Sequence, residues 1–313
     1  MQRLLHIEQK EQKVNNMKTT LRYAGGKSKA IDFITPFVAP YDEIISPFIG
    51  GGSLEVKWAS VGKKVEAYDV FDILVNYWNV LLTDNLSLAN ELKLINPNAE
   101  NYSSIKEELI CTPQVQEMLK NWKTSFYSRT PVELDKIKLA AYYYFNHNCS
   151  YGPGFLGWAS KIYLDQKKWN NTIKKIQQFK CPNLSVGQQN FVDTIQNNPN
   201  KFLYLDPPYY LEKDKDNKMF AGIYPMRNIP VHHNNFDHEK LRDLLLSHNG
   251  DFVLSYNDCE TIRDWYSGFE FYFPKWHYSM SLGEKRVGKN RKNNGDTGKD
   301  SHEILIVKRS KPQ

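Results

Sequence analysis

The stretch Glu43-Ile44-Ile45-Ser46-Pro47-Phe48-Ile49-Gly50-Gly51-Gly52-Ser53, with Lys64-Val65-Glu66-Ala67-Tyr68-Asp69 after it, decides the fold. Residues 43–48 read as a short strand, and three glycines follow it. Residues 54–60 carry a helical pattern, residues 64–69 read as a strand ending on an acid, and residues 73–82 continue as an amphipathic helix. Strand, glycine turn, helix and strand in this order open a doubly wound α/β fold. Glycines let the backbone come close to a ligand, and a helix start offers free amides. Asp69 lies 19 residues beyond Gly50, close to the roughly 20 at which an acid grips a ribose in such folds. Two readings of Gly50, Gly51 and Gly52 stay open: a structural turn, and the floor of a nucleoside site.

Upstream, Tyr23-Ala24-Gly25-Gly26-Lys27 precedes an amphipathic helix carrying Ile31 and Ile34. The segment lacks the spacing of a Walker loop, and taken alone it is a turn before a helix. Downstream, from residue 85 to about 180, no strand-like alternation dominates, and the segment reads as a mostly helical insertion. It ends on Tyr142-Tyr143-Tyr144-Phe145-Asn146-His147-Asn148 and a glycine-rich loop, Tyr151-Gly152-Pro153-Gly154-Phe155-Leu156-Gly157-Trp158. After Pro182 strands resume: an edge strand at 184–186, a central one at 201–205, then 252–255, 269–273 and 303–307, with a helix at 236–246. Residues 211–235 read as a long loop of the kind that often serves as an active-site lid.

The central strand runs into Asp206-Pro207-Pro208-Tyr209. Two prolines end the ladder and stiffen the exit. One reading is a strand-terminating turn. The other is a site for an amino group on a flat ring. Asp206 and the Pro207 carbonyl would accept the two amine hydrogens, and Tyr209 would stack on the ring. An exocyclic nucleobase amine is a poor nucleophile, because its lone pair is delocalised. Two acceptors aimed at its hydrogens favour a pyramidal nitrogen ready to attack.

The 313 residues suit one large domain or two smaller ones. Net charge is +6, from 41 basic and 35 acidic residues, a mild excess compatible with a polyanionic partner. The four cysteines form no CxxC pair, which speaks against a disulfide or zinc scaffold and for a reducing compartment. His232, His233 and His238 lack a Cys or Glu array, so no metal is expected. No apolar run reaches membrane-spanning length, and residues 1–20 lack the core of a secretory signal. Residues 283–301 carry Lys285, Arg286, Lys289, Arg291 and Lys292, and read either as a phosphate-tracking loop or as a solvated one. Asn146, His147, Asn148 and Tyr151 read either as contacts to base edges or as ordinary core plus a turn.

In their order, the AGGK turn, FIGGG, a long insertion and DPPY resemble the Dam-like (D12 class) DNA adenine-N6 methyltransferases that use S-adenosylmethionine. The resemblance covers about residues 21–307. It implies an α/β fold: a doubly wound, Rossmann-like methyltransferase sheet in a catalytic domain at 18–84 and 182–310. It also implies an inserted target-recognition domain at 85–181, behind an N-terminal extension at 1–17. Tyr23, Ala24, Gly25 and Lys27 would contact the cofactor, Phe48 and Gly50 to Gly52 would line its methionine end, and Asp69 would bind its ribose. Asp206 would serve cofactor pocket and target amine alike. Asn146, His147, Asn148, Tyr151 and the basic residues of 283–301 would face DNA. Tyr23 stands where the family usually has tryptophan, and His147 where it usually has arginine.

The resemblance further implies double-stranded DNA as substrate, a base flipped out of the helix, S-adenosylhomocysteine as product and no metal. It also suggests a cytoplasmic protein of bacterial, phage or viral origin with a restriction endonuclease as possible partner. Rival readings are a cytosine-N4 enzyme, which usually has Ser at Asp206, and a protein-glutamine enzyme, which usually has Asn there. A DNA-binding subunit without catalysis and an adenine methyltransferase acting on RNA remain alternatives.

Overall fold

The computed structural model describes residues 17–119, 130–151, 154–210, 236–274 and 303–310. Its strands are β1 (Glu43–Ser46), β2 (Lys64–Asp69), β3 (Leu184–Gln188), β4 (Leu203–Leu205), β5 (Phe252–Asn257), β6 (Glu270–Tyr272) and β7 (Glu303–Lys308). They form one sheet in the order β3-β2-β1-β4-β5-β7-β6. The first five run parallel, and β7 lies antiparallel between β5 and β6. All six residues of β5 are buried, as expected of a central strand covered on both faces. The strand at 184–188 takes the edge beside β2, where the sequence placed it.

Helices flank the sheet. On the N-terminal side are α1 (Ile31–Val38), α2 (Ser53–Ser60) and α3 (Asp72–Thr83). Residues 85–181 hold α4 (Asn85–Lys93), α5 (Ala99–Ile110), α6 (Pro113–Leu119), α7 (Lys136–Asn148) and α8 (Gln166–Gln177). After β3 come α9 (Phe191–Asn197), α10 (His238–Ser247) and α11 (Glu260–Trp265). Several begin where a side chain caps the first free amides: Asp135 accepts from Ile137 and Lys138, and Asp165 accepts from Lys168.

Among the described residues the insertion is helical, apart from one bridge between Ser150 and Ala159. Its entry and exit are tied together by Asn85, whose amide donates to the carbonyls of Ile176, Gln177 and Phe179. Its apolar faces do not form a separate core. Leu88, Leu109, Phe145 and Trp169 share one buried cluster with Ile34, Trp58 and Trp78. Helix α7 is therefore held against α3 and α4, and this contact brings the aromatic segment 142–148 up to the sheet. The expected loops at 211–235 and 283–301 lie outside the described residues.

Candidate active site

The sheet reverses its winding between β1 and β4, and ligands of open α/β sheets bind outside the strand ends at such a point. The glycine turn leaves β1 there, and Asp206-Pro207-Pro208-Tyr209 leaves β4. Between them lies a cavity of about 540 Å³, within the roughly 300–1,000 Å³ of ligand clefts. It is lined by Tyr23, Ala24, Gly25, Lys27, Phe48, Gly50, Gly51, Gly52, Asp69, Asp206, Pro207, Pro208 and Tyr209. Every residue that the sequence assigned to cofactor or catalysis thus comes to one place.

The turn needs its glycines. Gly50 and Gly52 have φ of 43° and 61°, the left-handed region that other residues avoid. A Cβ on Gly51 would sit 2.4 Å from the Cβ of Tyr23, and one on Gly52 would sit 2.6 Å from the Trp78 ring. The Tyr23 side chain lies directly over this backbone, and its ring stacks on His147 at 5.3 Å and 15°. Asp69 closes the turn from the end of β2, accepting from the Gly50 amide at 3.2 Å and the Phe71 amide at 3.0 Å.

On the far side, the Lys27 ammonium donates to Asp206 Oδ1 and to the Tyr209 hydroxyl, each at 2.8 Å, and to the Gly25 carbonyl at 3.3 Å. The Tyr209 hydroxyl donates to Glu303 Oε1 at 2.5 Å, and Lys27 lies 3.8 Å from the same oxygen. One cation thus balances two carboxylates. Burial pushes the Asp206 carboxyl above its ordinary range, and the neighbouring Lys27 opposes that rise. About a fifth of the Asp206 side chain stays exposed (22%), while the Glu303 side chain is fully enclosed. Asn257, at the end of β5, accepts from the Tyr210 amide and donates to its carbonyl, both at 2.8 Å. This clamp fixes the exit of the four-residue motif.

Of the two readings of 146–151, the structure shows the core side: most of these residues are enclosed. Asn146 and Asn148 are buried; both ends of the Asn148 amide are bonded inside the fold, whereas only the oxygen of Asn146 is, its Nδ2 having no partner among the described residues. Asn146 Oδ1 accepts from the Leu156 amide at 2.6 Å, while Asn148 Oδ1 accepts from the Arg22 amide at 2.9 Å and its Nδ2 donates to the Tyr144 carbonyl. His147 is buried as well, and burial, with Arg22 nearby, lowers its imidazole to about 3. It is neutral at physiological pH and supports Tyr23 rather than a phosphate. Of this group only Tyr151 faces solvent, joined by the strongly exposed Trp158, whose carbonyl accepts from the Tyr151 amide at 2.6 Å. Lys285, Arg286, Lys289, Arg291 and Lys292 lie outside the described residues. Sequence reading gave no site role to Glu303 or Asn257. The one available signal was an acid opening the otherwise apolar run 303–307.

A family model described as D12 class N6 adenine-specific DNA methyltransferase matches residues 23–280, a span that takes in the glycine turn, the insertion and the DPPY motif. The chain belongs to this family. No curated protein matches it. Membership implies S-adenosylmethionine-dependent methylation of adenine N6 in DNA. The methyltransferase sheet carries its cavity where that cofactor needs it: a bare glycine backbone, an acid at the second strand end and an aromatic ring over the turn. The residues present fit the group. Among the described residues no cluster of three or more His, Cys, Asp or Glu side chains could hold a metal ion, and no helix is long and apolar enough to cross a membrane.

Proposed function

We propose that the chain is a site-specific methyltransferase acting on N6 of an adenine flipped out of double-stranded DNA. The observation that carries this reading is the convergence of the glycine turn and Asp206-Pro207-Pro208-Tyr209 on one cavity, with Lys27 bridging Asp206 and Tyr209. Bound S-adenosylmethionine supplies an electrophilic methyl group and leaves as S-adenosylhomocysteine. Tyr23 and Lys27 hold its near side, Phe48 and Gly50 to Gly52 its methionine end, and Asp69 its ribose. Asp206 and the Pro207 carbonyl accept the two amine hydrogens and turn the lone pair of N6 outward. Tyr209, fixed at its hydroxyl by Lys27 and Glu303, presents its ring to the base. Residues 85–181 form the target-recognition part, and Tyr151 and the basic residues within 283–301 are the groups assigned to DNA. A cytoplasmic role beside a restriction endonuclease, in a bacterium, phage or virus, suits this activity.

The deciding test incubates labelled S-adenosylmethionine with mixed-sequence duplex DNA and digests the product to nucleosides. Labelled N6-methyladenine is expected. Cofactor binding without label in DNA turns the reading toward RNA, and then toward a non-catalytic DNA-binding subunit. Two variants test the supporting parts. Gly51→Ala forces Tyr23 away from the turn, so S-adenosylhomocysteine affinity should fall at least about tenfold by calorimetry. An unchanged affinity would place the cofactor elsewhere. Deletion of residues 283–301 should lower DNA affinity and flatten its salt dependence, since each lost phosphate contact removes about one unit of slope. An unaltered slope makes that loop a solvated one.

A further inference from the structure

Glu55 stands in the first turn of α2, directly beyond the glycine turn, and lines the same cavity. It is only 3% exposed. Ser46, the last residue of β1, donates its hydroxyl to Glu55 Oε1 at 2.8 Å. Among the described residues no lysine, arginine or histidine pairs with this carboxyl. Lys27 and His147 are the basic residues lining the cavity among those described. Lys27 is committed to Asp206 and Tyr209, and His147 is neutral. Burial raises the Glu55 carboxyl to about 7; its own amide, Ser46 and the Leu54 amide oppose the rise, and the Asp206 charge adds to it. A buried carboxyl in a cavity whose described basic residues are already committed or neutral is suited to a cation brought by a ligand.

The cofactor of the proposed reaction carries such a cation, a primary ammonium at its amino-acid end, the end assigned to the glycine turn. We propose that Glu55 is the acceptor for that ammonium group, with Ser46 holding the carboxylate in place. The proposal rests on the methyltransferase reading and adds a cofactor-binding residue to it. Besides His147 and the lining tyrosines, the other titratable groups around the cavity are Lys27 and Asp206, Asp69 at the end of β2, and Asp237 before α10. Asp206 is the one whose charge is felt at Glu55.

The test uses the full chain and two ligands, S-adenosylhomocysteine and 5′-methylthioadenosine; the second lacks the amino-acid end. In calorimetry Glu55→Gln should weaken S-adenosylhomocysteine at least about tenfold and leave methylthioadenosine unchanged. An equal loss for both ligands, or none for S-adenosylhomocysteine, overturns the proposal. A second measurement needs no variant. At about pH 6.5, wild-type binding of S-adenosylhomocysteine in buffers of different ionisation enthalpy should release part of a proton, because the ammonium holds Glu55 ionised. Methylthioadenosine should release none. Equal release by the two ligands overturns the assignment. If neither ligand binds the wild-type chain, the methyltransferase reading itself fails, and the proposal falls with it.

Discussion

Replacement of Asp206 by alanine is expected to lower methyl transfer at least about a thousandfold while the protein stays folded and still binds duplex DNA. The argument has two parts. Asp206 provides one of the two acceptors aimed at the amine, and without it the nitrogen keeps its lone pair in the ring system. The fold survives because Lys27 is not stranded: its ammonium retains the Tyr209 hydroxyl, the Gly25 carbonyl and the charge of Glu303. Single-turnover transfer to a methylatable duplex, beside a mobility-shift measurement of DNA affinity, separates the two effects. Asp206→Asn, which keeps one acceptor oxygen, should fall between alanine and wild type. Turnover within about tenfold of wild type in the alanine variant would sink the proposed role of this carboxylate.

Lys27→Met should have the second large effect, on stability and on turnover together. It removes the cation from a cluster in which the Glu303 side chain has no exposed surface and that of Asp206 has 22%. Breaking a buried pair by deleting one partner costs on the order of 3–5 kcal/mol. The deficit should also depend on pH. Burial raises the Asp206 carboxyl and Lys27 opposes that rise, so without Lys27 it holds its proton more tightly in the folded state than in the unfolded one. Its folded pKa then lies above the unfolded one, and stability falls as pH rises through the carboxyl range. Urea unfolding should therefore show a larger gap to wild type at alkaline pH than at acid pH. Adding Glu303→Gln to the Lys27 variant removes one stranded charge and should recover part of the loss. An unchanged unfolding midpoint in Lys27→Met rules out the cluster as a stabilising unit.

Much of the fold was legible because it is written locally. Residues 43–69 contain two strands, the turn and a helix in contiguous sequence, and the acid at the second strand end sits at a fixed spacing. The four-residue motif after β4 was legible for a similar reason, since two prolines leave the backbone few options. The segment 142–148 left two readings open because polarity is a poor guide to burial on an enclosed helix. Asn146 and Asn148 sit in α7, packed against α3 and α4, and an amide satisfied by backbone groups, as that of Asn148 is, can be as buried as a leucine. Glu303 and Asn257 were missed for another reason. Their role exists only through partners brought together by the sheet order, and no local pattern encodes which strand ends will meet.

That sheet order has a bearing on when the molecule becomes competent. Lys27 and Tyr209 are 182 residues apart, and Glu303 lies a further 94 beyond Tyr209. Strand β6 joins the sheet through β7 alone, and β7 opens with Glu303. A polypeptide still growing on the ribosome, with residue 303 not yet emerged, holds the glycine turn and the DPPY motif but not the acid that anchors Tyr209. Long-range pairings of this kind also form late in folding. The anchoring of Tyr209 therefore waits for β7 to pair with β5, and a copy in which it has not paired should leave the DNA it meets unmarked.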